Sequence, residues 1–294
     1  MSQLLQSLVD ALSAGATLGL AALAIGLVFG VIRLANFATG EIITAGAYTL
    51  IFTWQLGWYI SIPFAIIVAV LLSLLMELSV FSRMRAATPA TLLIASFGLS
   101  FLLQRVYELA FTNNVQTAPV ASELAQSISI GGVRIQMLSV ATILLAALLL
   151  TGLQLFLTRT SLGLQLKAAA ADFKTARLIG IPASRVIGLS FALSGILAAA
   201  VAFVTTVQTG AVGPTFGVPI TILALVGAVI GGIDKISGAL AGGFLVGFAT
   251  SMLASWLPQD MSNFKDAYVF MLVIGVLLMR PQGLLIRGRG AVRT

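Results

Sequence analysis

Nine apolar runs, most of them near the length of about 20 residues that a helix needs to cross a hydrocarbon core, organise this chain. They lie at roughly 8–32, 42–57, 60–81, 90–111, 137–158, 186–208, 218–233, 237–257 and 265–280. A soluble surface would need about a quarter of the residues to be charged, and only 9% are. Ten-residue strand-like alternation is absent, which disfavours a β-barrel. The expected fold class is therefore all-α: a polytopic membrane helix bundle of about 8–9 transmembrane helices, forming one transmembrane domain over 1–294. The first run is too long, too glycine-rich and too poor in flanking basic residues to read as a cleavable signal peptide.

The sequence has no cysteine and no histidine. Thiolate chemistry, disulfides and the commonest proton shuttle and metal ligand at neutral pH are thereby excluded, and no catalytic or metal site is expected. The net charge of +7 does not point to nucleic acid, because the basic residues are scattered at the ends of apolar runs and not gathered in one stripe with aromatics between them. Arg83 and Arg85, then Arg159, Lys167, Lys174, Arg177 and Arg185, then Arg280, Arg287, Arg289 and Arg293 form three groups. An even number of spans separates each from the next. With Arg33 and Lys235 they fall on one side, the cytoplasm, leaving Arg105, Arg134 and Lys265 elsewhere. This orientation puts the N-terminus outside and the C-terminus in the cytoplasm.

Small-residue pairs four apart (Gly15/Gly19, Gly26/Gly30, Gly227/Gly231, Gly238/Gly242, Gly243/Gly247) read as helix-packing scaffold. The segment Arg33–Glu41 interrupts the apolar pattern between the first two runs. Two readings stand side by side there. Asn36, Thr39 and Glu41 are suited to capping the second helix. Alternatively Asn36, Phe37, Thr39, Gly40 and Glu41 form a broken-helix stretch lining a translocation path or gate, Gly40 permitting a tight bend. The polar segment at about 159–185 has helix-forming composition between Gly163 and Gly180. Leu164, Ala168, Ala171, Ala176 and Ile179 can share one face of it, which suits docking in a groove on a partner protein better than resting on lipid. Arg105 and Glu108 are spaced to pair on one helix face. Few other charges enter the spans, which argues against an ion-coupled mechanism.

Four motifs together carry a resemblance covering nearly the whole chain. They are Asn36-Phe-Ala-Thr-Gly-Glu41 followed by Gly46-Ala-Tyr48; Gly163-x-x-x-Lys167-Ala168 with Asp172, Ala176 and Gly180-Ile181; Gly231-Gly-Ile-x-x-x-x-Gly238-Ala239; and Arg280-Pro-Gln-Gly-Leu284. The chain resembles the permease subunits of bacterial branched-chain amino acid ATP-binding-cassette importers, the first of the two paralogous permeases in particular; urea and short-amide permeases are close relatives. It departs from the family pattern at Thr39, where histidine is usual, at Lys167, at Asp234-Lys235 and at Leu78 after Glu77. The resemblance implies a multi-pass inner-membrane permease that is not itself an enzyme. Its partners would be cytosolic ATPase subunits, a second paralogous permease, a periplasmic solute-binding protein and the lipid bilayer. Gly163, Lys167, Ala168, Asp172, Ala176, Gly180 and Ile181 would belong to the loop that couples to the ATPase. No Gly-x-x-x-x-Gly-Lys-Ser/Thr occurs, so ATP would be held by the partner subunit and this chain would bind no cofactor. The alternative class is a self-sufficient channel or ion-coupled secondary carrier.

Overall fold

The computed structural model describes residues 2–33, 35–84, 87–130, 133–233, 235–257 and 264–279. Each apolar run is helical. In chain order the helices are α1 (Ser2–Ile32), α2 (Thr39–Thr53), α3 (Trp58–Ser79), α4 (Pro89–Phe111), α5 (Met137–Arg159), α6 (Ser161–Ala171), α7 (Phe173–Leu178), α8 (Ala183–Thr209), α9 (Gly217–Gly231), α10 (Ile236–Trp256) and α11 (Lys265–Met279). The polar segment between α4 and α5 also builds short strands, which the absence of alternation did not foretell. There β1 (Gln116–Thr117) pairs antiparallel with β4 (Ala211–Val212), and β2 (Ser127–Ile130) forms a hairpin with β3 (Val133–Gln136).

Among the described residues, six helices are long and apolar enough to cross a membrane: α1, α3, α4, α5, α8 and α10. The apolar runs predict eight or nine, and the difference lies in three short helices. At 15 residues each, α2, α9 and α11 reach about 22 Å, against a hydrocarbon core of about 30 Å. The second run ends early because the chain turns into a 3₁₀ segment, Trp54–Leu56, and then a left-handed Gly57 at φ +99°. Gly232, at φ +97°, stops α9 in the same way.

The paired glycines do act as scaffold. A Cβ on Gly26 would lie 2.6 Å from the Ala239 methyl, and one on Gly227 would lie 2.6 Å from the Gly243 Cα. Gly247 similarly faces Ala14, and Gly15 faces Phe244. Removing these side chains lets α1, α9 and α10 approach closely enough to gain dispersion contacts that lipid does not supply. Apolar residues from α1, α2 and α8 make up most of the buried core, whereas α3, α4 and α5 turn many large apolar side chains outward.

Polar residues gather at the two ends of the bundle. Arg33, Glu77, Lys174 and Arg177 line one cavity. Asp10, Gln136, Gln208 and Ser251 line another, formed from the opposite ends of α1, α8 and α10. The first is called the basic end below. Arg85, Asp234 and the C-terminal motif Arg280–Leu284 lie outside the described residues.

Candidate functional site

The connection between α1 and α2 starts at an exposed Arg33 and is buried at Asn36 and Ala38. Arg33 ends α1 in the left-handed region at φ +55°, a conformation costing a non-glycine residue about 1–2 kcal/mol. From there the chain runs along α4. The Phe37 N–H donates to Ser96 Oγ at 3.3 Å, and the Phe37 ring stacks on Phe97 with centroids 3.9 Å apart. Ser96 lies about 10 Å, and Ser100 about 16 Å, along α4 from Pro89. Thus α2 begins well within the bundle, and its residues from Thr39 to Tyr48 are all buried. Irregular backbone at such depth persists only where protein covers it or a watery path adjoins it.

Each side chain of the segment has a distinct placement. Asn36 Oδ1 accepts from the Ala38 N–H at 3.1 Å, closing an Asx turn, while its Nδ2 is buried without a partner. The Thr39 hydroxyl donates to the Asn36 carbonyl at 2.9 Å. Glu41 is 0% exposed, and its Oε1 accepts from Ser100 Oγ at 2.8 Å and from Gln104 Nε2 at 3.0 Å. Tyr107 adds a hydrogen bond to the Glu41 carbonyl at 2.7 Å. Glu41 Oε2 is buried with no partner. The residue at the N-cap position, Ala38, makes no side-chain cap. Glu41 does sit in the first turn of α2, yet its carboxylate ties that turn to α4 instead of capping its own helix.

Gly40 serves a different purpose from the bend the sequence suggests. It is helical, and a Cβ there would lie 2.7 Å from both the Gly217 carbonyl oxygen and Thr221 Oγ1. Its missing side chain lets the first turn of α2 cross the first turn of α9. The Gly217 N–H donates to Thr44 Oγ1 at 2.9 Å, and that hydroxyl donates to the Gly40 carbonyl at 3.0 Å. Two short helices therefore begin against one another, each presenting its positive dipole end. Thr221 Oγ1, like Glu41 Oε2 and Asn36 Nδ2, is buried and unpartnered. Sequence reading missed Ser96, Ser100, Gln104 and Thr221. The first three recur every four residues along an otherwise apolar run, a polar stripe on one face of α4.

The segment at 159–185 folds as an elbow, not as one helix. Thr160 caps α6 by accepting from the Gly163 N–H at 3.0 Å. Asp172 then breaks the helix and caps α7, accepting from the N–H groups of Lys174 at 3.0 Å and Thr175 at 3.1 Å and from the Thr175 hydroxyl at 2.6 Å. The Thr175 bonds hold the Asp172 carboxyl below the usual aspartate range. Gly180, at φ +89°, closes α7 with Gly180 N–H to Arg177 O and Ile181 N–H to Ala176 O, both 3.1 Å, the two bonds of a Schellman motif. Pro182 then prevents the helix from continuing.

This break corrects the single face expected over 164–179. Leu164, Lys167, Ala168, Ala171 and Asp172 are exposed, as are Leu178 at 86% and Ile179 at 71%. Gly163, Leu166, Ala169 and Ala176 are buried, and Ile181 is half-buried. A Cβ at Gly163 would run into the Phe156 carbonyl and come within 2.7 Å of Leu157 Cα. Gly163, Asp172, Ala176 and Gly180 thus shape the elbow, while Lys167 and Ala168 lie on its outer surface. We expect Gly163→Ala to lower stability by about 1–3 kcal/mol through overpacking, measurable as an earlier thermal transition in detergent.

The cap also carries a pH sign. A carboxyl held low contributes stability that is present above its unfolded pKa, about 3.9, and is lost as pH falls through the lower folded value. The α7 cap is therefore intact throughout the neutral range. Asp172→Ala should raise amide hydrogen exchange at Lys174 and Thr175 at neutral pH, with Asp172→Asn retaining part of the protection.

Residues 7–280 match the family described as the branched-chain amino acid transport system / permease component. The high-affinity branched-chain amino acid transport system permease protein BraD of Pseudomonas aeruginosa is 32% identical over 96% of this chain and 95% of its own. The corresponding protein LivH of Escherichia coli K12 is 28% identical over the same shares. The probable branched-chain amino acid transport permease protein LivH of Methanocaldococcus jannaschii is 27% identical over 90% and 87%. No solved structure matches.

Proposed function

Because the chain belongs to the family of branched-chain amino acid transport permease components, we propose that it forms one membrane half of an ATP-binding-cassette importer for branched-chain amino acids. A second, paralogous permease would complete the pore. A periplasmic binding protein would deliver the solute, and cytosolic ATPase subunits would supply the energy. With α2, α9 and α11 counted among the crossings, the chain passes the inner membrane nine times, with the N-terminus outside and the C-terminus in the cytoplasm.

The observation that carries this reading is the elbow at the basic end. Its caps fix α6 and α7 as rigid pieces, and it directs Leu178 and Ile179 away from the bundle. Large apolar side chains held outward make a surface for a protein, here the ATPase. Behind that surface α6 packs on α1, with Ala170 opposite Gly30. Motion of the elbow therefore acts on the end of α1 that leads into residues 35–41. The crossing of α2 over α9 at Gly40, Thr44, Gly217 and Thr221, with Glu41 beside it and bonded to α4, is the gate in this account.

An affinity pull-down from native membranes in mild detergent tests the docking. Wild-type chain should bring down a soluble ATPase and a second permease, and Leu178→Glu with Ile179→Glu should lose the ATPase while keeping the permease. Retention of the ATPase by that variant would refute the assignment of the elbow. These two residues are better probes than Gly163 or Asp172, which shape the elbow itself.

A further inference from the structure

A cavity of about 410 Å³ separates α7 from the end of the bundle. Its polar wall carries three cations, Arg33 from the end of α1 and Lys174 and Arg177 from α7, against one carboxylate, Glu77, which is 2% exposed. The remaining lining is apolar, with Phe81 and Phe173 among it. A free inorganic anion would meet the cations but leave that apolar lining in contact with water. An ATPase side chain would have to pass behind α7, since Leu178 and Ile179 of that helix point outward.

The shape of the chemistry is amphipathic, cations on one wall and apolar side chains on the rest. Beside the cations, Phe81, Leu92, Phe173 and Ile187 give the cavity an apolar wall. We propose that this cavity holds the headgroup of an anionic phospholipid, its phosphate against Arg33, Lys174 and Arg177 and its glyceryl and first acyl carbons against that apolar wall. Basic pockets between helices near a membrane surface take such headgroups, and the volume falls within the range of small-molecule sites. Bound there, the lipid bridges α7 to the residue at which α1 gives way to the α1–α2 connection. It would thus stiffen the link between elbow and gate, a form of regulation by membrane composition that does not depend on which solute is carried.

The test uses the purified full chain in nanodiscs of phosphatidylcholine, with and without added phosphatidylglycerol, read by native mass spectrometry and by thermal transition. Wild type should retain phosphatidylglycerol and melt later in its presence. Lys174→Gln with Arg177→Gln should weaken retention by about five-fold per charge removed. Lys174→Arg with Arg177→Lys should restore it, and Arg159→Gln, at the same end but outside the cavity, should match wild type. Equal retention by all variants would overturn the proposal, as would competition by inorganic phosphate at the same concentration. Unchanged phosphatidylglycerol retention with loss of a protein partner would assign the cations to protein docking instead, and would likewise overturn it.

Discussion

Replacing Glu41 by leucine is expected to remove transport altogether and to destabilise the protein. The Ser100 hydroxyl and the Gln104 amide both donate to Oε1 inside the bundle, and leucine would remove that acceptor, leaving Gln104 only its bond to Ser100 Oγ. Each buried unsatisfied group costs about 1–3 kcal/mol, so the α2–α4 tie would weaken to the Tyr107 bond on the residue 41 carbonyl. Glu41→Gln is the sharper experiment. Its amide oxygen can accept both bonds, so the fold should survive with a stability change within about 1 kcal/mol. If Oε2, buried and unpartnered, serves the gate, uptake by the glutamine variant should still fall at least ten-fold, about 1.4 kcal/mol of barrier. Normal uptake by a well-folded Glu41→Gln would reduce Glu41 to a tie between helices. Thermal transition and uptake, measured on the same preparation, separate the two.

The second large effect is expected at the α9–α10 hairpin. A Cβ at Gly231 would collide with the Gly238 carbonyl oxygen and come within 2.8 Å of the Gly242 N. Backbone cannot move aside as a flexible side chain can, so the helices must separate along their length. Gly231→Leu should abolish accumulation of monodisperse protein in detergent, well beyond the usual 1–3 kcal/mol of overpacking. Gly98→Ala and Gly152→Ala are the matched controls, because nothing lies within 4 Å of a Cβ at either position. Those two should be neutral or stabilising by up to about 1 kcal/mol, since alanine is the better helix former. Size-exclusion profiles of the three variants would reveal the contrast directly.

Much of this architecture is legible in the sequence because hydrocarbon imposes so few solutions. An apolar run must satisfy its own backbone, so every run becomes a helix, and the paired glycines mark where helices meet. Arg105 and Glu108, three residues apart, pair as their spacing suggests. What the sequence hides is depth and crossing. The run at 42–57 is visibly short, yet nothing in it shows that its helix begins inside the bundle against Gly217, a partner far along the chain. The role of Gly40 depends wholly on that crossing. Likewise, Asp172 reads locally as one polar residue in a helix-forming stretch. Only its bonds to Lys174 and Thr175 reveal that it ends one helix and starts another. The polar stripe Ser96, Ser100, Gln104 was a visible signal for the partner of residues 36–41, but it gains meaning only once α4 is known to lie beside α2.

These placements also divide the residues of the 163–181 motif by task. The glycines at 163 and 180 and Asp172 fix the shape of the elbow, whereas in the proposed assembly contact with the ATPase would fall to side chains such as Leu178 and Ile179. Variants of the first group should disturb folding and docking together, and variants of the second should disturb docking alone.

The most direct test of the whole account is uptake of radiolabelled leucine, isoleucine or valine into proteoliposomes. The vesicles would contain this chain with its co-purified permease and ATPase, with binding protein outside and ATP inside. The account predicts accumulation only when ATP, ATPase and binding protein are all present, and none from vesicles holding this chain alone. Gradient-driven uptake by the chain alone, indifferent to ATP, would contradict it and identify a self-sufficient carrier.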